Sequence, residues 1–200
     1  MSDIKSKGPV AKLPTKYGLF NIIIFRDDKE LDHAVIFMGS LDDGEPVLCR
    51  IHSECLTGDA LGSLRCDCGF QLSQAFEKIV ERGRGAVLYM RQEGRGIGLF
   101  NKIRAYELQD NGADTVEANL KLELPADSRR YDLCAKIMKS MGIAKVILMT
   151  NNPNKIESIK AYGIDVIDRE PIETGKNPYN EEYLKTKGYK MGHILKEVEQ

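Results

Sequence analysis

Little in this sequence is in excess. Lys and Arg number 29 against 30 Asp and Glu, a formal net charge of -1, so there is no basic surplus with which to hold a polyanionic nucleic acid polymer. No apolar run approaches the ~20 residues of a membrane-spanning helix, and stretches such as Ile22-Ile23-Ile24-Phe25 are strand-sized, so no membrane partner is expected. Met1 to Pro14 carries lysines but no apolar segment, so no secretory signal is expected and the cytoplasm is the expected compartment. Internal repeats, low-complexity tracts and blocks of like charge are absent. Cysteine is sparse and odd in number, at five, which in a reducing compartment points to metal ligands, catalytic groups or buried core rather than to disulfides. Against these absences, 42% hydrophobic and 30% charged residues over 200 positions describe a soluble globular chain whose core needs no covalent staple.

The expected organisation is one continuous domain over residues 1–200. Strand-like runs at Gly18 to Phe25, Ala34 to Met38 and Pro46 to Ile51 are separated by Asp27-Asp28 and Asp42-Asp43-Gly44, which are turn chemistry, and predict antiparallel or mixed pairing. After Cys68 the period changes. Leu72, Phe76, Ile79 and Val80 form a helical stripe closed by Gly83, and Gly85 to Met90 reads as a buried strand. Helices are expected at Leu99 to Asn111, with Leu99, Ile103 and Tyr106 on one face, at Tyr131 to Met141, and after Pro153, with strands at Lys145 to Met149 and Ile164 to Ile167. The fold class is therefore α/β: a mixed sheet with N-terminal antiparallel strands and a partly parallel, helix-flanked C-terminal half. In such sheets ligands gather beyond the carboxyl ends of strands, which is where Arg50 to Cys68, Arg91 to Gly98 and Thr150 to Lys155 fall.

Three of these segments carry chemistry. Cys66 and Cys68, two apart, point their sulfurs to one side of an extended or turn segment, and the loop from Cys55 can close over them. Three thiolates can meet on zinc with a fourth position left for water, and Arg65 is a nearby cation to offset the surplus negative charge. The Cys-x-Cys spacing is not that of a zinc finger, so plain thiols stay an open reading. Cys49 and Cys134 lie in apolar elements and read as core. Gln92-Glu93-Gly94-Arg95-Gly96-Ile97-Gly98 joins a strand to a helix and suits an anion near a helix N-terminus, although from these residues alone a glycine-rich turn beside a solvated basic helix is the more common explanation. Asp127 and Arg129, just after Pro125, read either as a reactive pair or as a surface ion pair or helix cap.

Together these segments resemble GTP cyclohydrolase II, the first enzyme of riboflavin biosynthesis. The resemblance rests on Arg50-Ile51-His52-Ser53-Glu54-Cys55-Leu56-Thr57-Gly58-Asp59-Ala60, Ser63-Leu64-Arg65-Cys66-Asp67-Cys68-Gly69, Arg91 to Leu99, Lys102-Ile103-Arg104-Ala105-Tyr106 and Thr150-Asn151-Asn152-Pro153, and runs from about residue 12 to about 193. It implies opening of the imidazole ring of GTP, with formate and pyrophosphate released. By the same resemblance one zinc is held by Cys55, Cys66 and Cys68, and magnesium serves the triphosphate. Tyr106, Asp127 and Arg129 match the family's catalytic positions. Arg50, Ile51, His52, Ser53, Glu54, Gln71, Glu93, Gly94, Arg95, Thr115, Thr150 and Lys155 match its GTP contacts. The family reading also implies a homodimer, and 200 residues leave no room for the dihydroxybutanone phosphate synthase to which this domain is often fused. It assigns Arg129 as a nucleophile on the α-phosphate and Asp127 as a proton acceptor. A charged guanidinium has no free lone pair, so stabilising phosphoryl charge is the physically easier task for Arg129. The departures at Glu123 and Arg130 leave the Asp-x-Arg core intact. Two other readings remain: another zinc-dependent purine nucleotide hydrolase or deaminase, and a non-catalytic, zinc-stabilised nucleotide-binding module.

Overall fold

The computed structural model of the chain describes residues 4–113, 115–125, 127–189 and 191–195. Two compact units are present: a sheet unit of Met1–His52, Leu72–Arg91 and Arg130–Ile172, and a cysteine unit of Ser53–Gln71, Gln92–Arg129 and Glu173–Gln200. The strands are β1 (Ile4–Lys7), β2 (Ala11–Thr15), β3 (Gly18–Asp27), β4 (Asp32–Met38), β5 (Val47–Ser53), β6 (Gly85–Met90), β7 (Lys145–Met149) and β8 (Asp165–Glu170). The helices are α1 (Leu56–Asp59), α2 (Cys68–Arg82), α3 (Gly98–Asp110), α4 (Thr115–Lys121), α5 (Tyr131–Ser140), α6 (Pro153–Ala161) and α7 (Glu181–Tyr189), with a tight 3-10 turn at Glu93–Gly96.

The strands form one eight-stranded mixed sheet in the order β1-β3-β4-β6-β5-β7-β8, with β2 also paired to β3. The β3–β4 and β4–β6 pairs are antiparallel, in registers that include Ile24 with Ala34 and Val35 with Leu88. The β5–β7 and β7–β8 pairs are parallel, through Val47 with Val146 and Val146 with Val166. Side chains alternate between two cores because successive strand residues face opposite ways. Val35, Val47, Cys49, Ile51, Leu88, Val146 and Leu148 pack with Leu133 and Ile137 of α5 and Ile159 of α6. On the other face, Phe20, Ile36, Leu48, Val87 and Met149 pack with Ala75 and Ile79 of α2. A sheet covered on both faces is what the continuous apolar runs of β6 and β7 require. Cys49 and Cys134 are fully buried in the first core, and burial pushes the Cys49 thiol up.

Loop chemistry ends the elements where expected. Asn152 caps α6 by accepting the Asn154 N–H at 3.0 Å, with Pro153 in the first turn. The structure adds elements to those the sequence predicts. In the lysine-bearing N-terminal stretch β1 and β2 both add to β3, since backbone pairing tolerates charged side chains that point to solvent on an edge strand. Helices α1, α4 and α7 are too short or too polar to show a hydrophobic stripe. The expected apolar face of α3 is split: Leu99 and Ile103 are exposed, the latter at 48%, with Phe100 beside them at 78%, whereas Tyr106 is half-buried and turns inward with the buried Lys102 and Ala105. The reason lies in what Lys102 touches.

Candidate active site

Within the cysteine unit, Cys55 immediately precedes α1, while Cys66 lies in the turn before α2 and Cys68 opens that helix. Their sulfurs all lie within 4.8 Å of one another, with Cys55 Sγ and Cys66 Sγ 3.6 Å apart. That is too long for a disulfide. Three sulfurs on a tetrahedral zinc, each at about 2.3 Å, stand about 3.8 Å apart, so the donor set and spacing suit that ion. Two glycines permit the approach. A Cβ on Gly58 would stand 2.9 Å from Cys66 Sγ, and one on Gly69 would stand 2.2 Å from the Gly58 carbonyl oxygen. The thiols are inequivalent: hydrogen bonds from Cys66 and Cys68, with Lys102 beyond, hold the Cys55 sulfur as a thiolate well below the usual range. Those bonds, with burial, push Cys66 and Cys68 up.

Around the sulfurs stands a polar frame. Lys102 Nζ lies 3.1 Å from Cys55 Sγ, 3.0 Å from Thr57 Oγ1 and 2.8 Å from Glu93 Oε1. Burial disfavours its charge, but Glu93 and Cys55 outweigh that and hold the ammonium well above its ordinary value. Glu93 is also buried. Its Oε2 accepts the Leu56 N–H at 2.6 Å, at the start of α1, and its Oε1 accepts the Gly94 N–H at 3.0 Å. Tyr106, one turn beyond Lys102 on the same face of α3, brings its hydroxyl 3.5 Å from Thr57 Oγ1, and burial raises its phenol. Arg65 is not the cation at the thiols. Its guanidinium stacks over the Tyr106 ring at 4.4 Å and pairs with Asp110 at 2.9 Å.

The 3-10 turn reaches a further segment. Gly94 and Arg95 adopt left-handed φ of 60° and 61°, and the Arg95 carbonyl accepts the Ser128 N–H at 2.9 Å. A Cβ on Gly96 would stand 3.0 Å from Ser128, so a side chain there would push the two segments of this contact apart. Flanking Ser128, the Arg129 Nε donates to both Asp127 oxygens at 2.9 and 3.1 Å, and the Arg129 N–H bonds Oδ1 at 3.0 Å. Burial pushes the Asp127 carboxyl up, but Arg129 outweighs it and holds it below the ordinary carboxylate range. Asp127 is thus not a helix cap; Arg130 takes that place on α5 with no side-chain bond to it.

The remaining expected residues fall as follows. Gln71 donates to Asp67 Oδ2 at 2.6 Å, and Asp67 also binds Lys187 of α7 at 2.6 Å. Ser53 Oγ accepts from Gln92 at 2.9 Å, and Glu54 is half-buried. Thr115 opens α4, and its side chain lies outside the described residues. Arg50, Ile51, His52, Thr150 and Lys155 belong to the sheet unit, around the carboxyl ends of the parallel strands β5 and β7. There the Arg50 guanidinium donates to the Met149 carbonyl at 2.8 Å and Lys155 Nζ to the Ile51 carbonyl at 2.9 Å. Thr150 Oγ1 accepts the Asn152 N–H at 3.0 Å, and His52 stacks on Tyr89 at 5.5 Å. Lys102, Thr57, Gly58, Gly69 and Asp67 were given no individual site role from the sequence. The four-residue spacing of Lys102 and Tyr106 is the signal that places the lysine beside the tyrosine.

The family model of GTP cyclohydrolase II matches residues 6–171, a span that draws on both units. The chain belongs to the GTP cyclohydrolase II family. A GTP cyclohydrolase-2 of Shewanella sediminis (strain HAW-EB3) is 57% identical over 188 residues, covering 94% of this chain and 92% of that protein. Another, of Histophilus somni (strain 2336), is 56% identical over 186 residues, covering 92% and 86%. Among solved structures, the two-domain 3,4-dihydroxy-2-butanone 4-phosphate synthase RibBX from A. baumannii aligns with 84% of this chain and 40% of that one, at 15% identity and a TM-score of 0.47. As a member of this family the chain is a hydrolase of the GTP cyclohydrolase II type. No helix among the described residues is long and apolar enough to cross a membrane.

Proposed function

We propose that this enzyme opens the imidazole ring of GTP and cleaves its triphosphate, releasing formate and pyrophosphate and giving 2,5-diamino-6-ribosylamino-4(3H)-pyrimidinone 5′-phosphate for riboflavin biosynthesis. The observation that carries the reading is the cluster of three free thiols with Tyr106 one hydroxyl away, through Thr57. Cys55, Cys66 and Cys68 hold one zinc ion, which when bound supplies a Lewis acid for the attack of water on carbon 8. Tyr106, kept protonated by its burial, donates a hydrogen bond that orients the water or the ring nitrogen.

At the other end of the substrate, Arg129 stabilises charge developing on the α-phosphate and Asp127 fixes the plane of its guanidinium. For Asp127 to take a proton it must first release Arg129, because the pairing makes it a weak base. Arg95 offers its guanidinium to the phosphates, accompanied by magnesium, and Gly94, whose own N–H is given to Glu93 Oε1, lets the backbone turn towards them. Glu93, whose two oxygens are engaged internally, supports that turn. Arg50 and Lys155 add positive charge at the ends of β5 and β7, with Ile51, His52 and Thr150 beside them. Ser53, Glu54, Gln71 and Thr115 complete the contacts. The chain acts as one functional domain and as a homodimer in the cytoplasm.

The test follows formate, pyrophosphate, ammonia and pyrimidine absorbance in one anaerobic reaction of purified protein with GTP, zinc and magnesium. Formate with pyrophosphate is the expected result. Ammonia without formate would replace the reading by a deaminase, and absence of turnover by a nucleotide-binding module. Folded Cys66→Ser should lose formate while retaining pyrophosphate release, and Arg129→Ala should show the opposite bias; proportional loss of both products in Cys66→Ser would refute separate groups for the two steps.

A further inference from the structure

Lys102 turns inward from a helix whose neighbouring Leu99, Phe100 and Ile103 turn out. An ammonium has three N–H groups to give, and three acceptors take them: Cys55 Sγ, Thr57 Oγ1 and Glu93 Oε1, at 3.1, 3.0 and 2.8 Å. Every donor is committed inside the protein, so none is left for a substrate phosphate. The charge balance accounts for a lysine there. Three thiolates overbalance a divalent ion by one charge, the Glu93 carboxylate stands beside them, and Lys102 is the cation in contact with both.

Its bonds also set direction. An N–H group on the Cys55 sulfur draws electron density from it and lessens its donation to a bound metal. Because Thr57 Oγ1 accepts from Lys102, the Thr57 proton is left to face Cys55 Sγ at 3.7 Å or the Tyr106 hydroxyl at 3.5 Å. We propose that Lys102 is a positioning residue for the metal centre: a fixed ammonium that fastens Cys55 as a ligand and offsets the surplus negative charge of a three-thiolate site. The inference rests on the zinc reading above.

The experiment compares the wild type with Lys102→Met, Lys102→Arg and the double variant Lys102→Met with Glu93→Gln, each checked for folding by circular dichroism. Zinc affinity is read by chelator competition, and the sulfur is read by the thiolate-to-metal charge-transfer band of the Co²⁺-substituted protein. Lys102→Met is expected to bind zinc about 10- to 100-fold more weakly, because Cys55 loses the contact that holds it in place and the site its counter-charge, and to shift the band to lower energy, because the sulfur no longer shares its electron density with an N–H. Lys102→Arg, which keeps charge and donors, should recover both in part. The double variant, which removes the buried carboxylate along with its counter-charge, should keep the weaker binding and shifted band even where the single variant fails to fold. Wild-type affinity and band position in either folded variant lacking Lys102 would overturn the proposal. A wild-type protein that binds Zn²⁺ and Co²⁺ without any thiolate band, or not at all, would overturn the zinc reading and the inference with it.

Discussion

A single methyl group at either of two glycines would disturb the thiol cluster. Gly69→Ala places its Cβ 2.2 Å from a backbone oxygen, whereas Gly58→Ala meets a sulfur at 2.9 Å. Backbone cannot yield as a side chain can, so Gly69→Ala should be the more damaging, costing about 1–3 kcal/mol as overpacked sites do, and both should lower retained metal. Thermal unfolding and metal analysis of the two variants check the ranking. The cysteines separate just as sharply. Serine at Cys66 removes a thiolate from the cluster and should abolish zinc retention. Serine at Cys49 or Cys134 should leave zinc in place and lower stability instead, because a hydroxyl enters an apolar core. The residue types of the cluster were legible in the sequence. Lys102 was visible only as one cation among several, since nothing in a linear pattern says that an ammonium will be buried.

At the scale of elements, the β3–β4 turn carries a pH dependence. Asp27 Oδ1 accepts the Lys29 and Leu31 N–H groups, both at 2.9 Å, and closes that turn. Its other oxygen lies 3.3 Å from His33 Nε2, while His33 Nδ1 accepts the Arg91 N–H at 3.0 Å, at the end of β6. Burial pushes the imidazole below its ordinary value, more than Asp27 restores. The folded protein therefore keeps His33 neutral, and the unfolded chain binds the proton that the fold refuses. Stability from this group is complete above the unfolded value of about 6.5 and is lost as pH falls towards the depressed folded value. Denaturant midpoints should decline from about pH 7 to about pH 5, and His33→Gln should flatten that slope; an unchanged slope would remove His33 as the cause. The hydrophobic period located α2 and α5 because each buries a full apolar stripe, whereas Pro153 marked α6. It misassigned the inner face of α3, where hydrogen bonds to Cys55, Thr57 and Glu93 outweigh the cost of taking Lys102 out of water.

For the whole molecule, the division into units predicts where metal matters. The three thiols, Glu93, Lys102 and Tyr106 all belong to the cysteine unit, and none of them is a member of the two cores packed on the sheet. Chelation of zinc should raise amide hydrogen exchange at residues 55–71 and 93–106 while β4 and β6 keep their protection. Equal loss across the sheet would show that the metal supports the fold throughout. The amino-acid sequence by itself determined the α/β class and most strands and helices of the sheet, and it singled out the three clustered cysteines, because these are written as local periods and short motifs. Only the tertiary structure decided that Lys102 rather than Arg65 meets the thiols, that Glu93 braces α1, and that Ser128 ties the Asp127–Arg129 segment to the Arg95 turn. Those contacts join residues dozens of positions apart, and which of several equivalent charges is buried depends on the partners that folding brings to it.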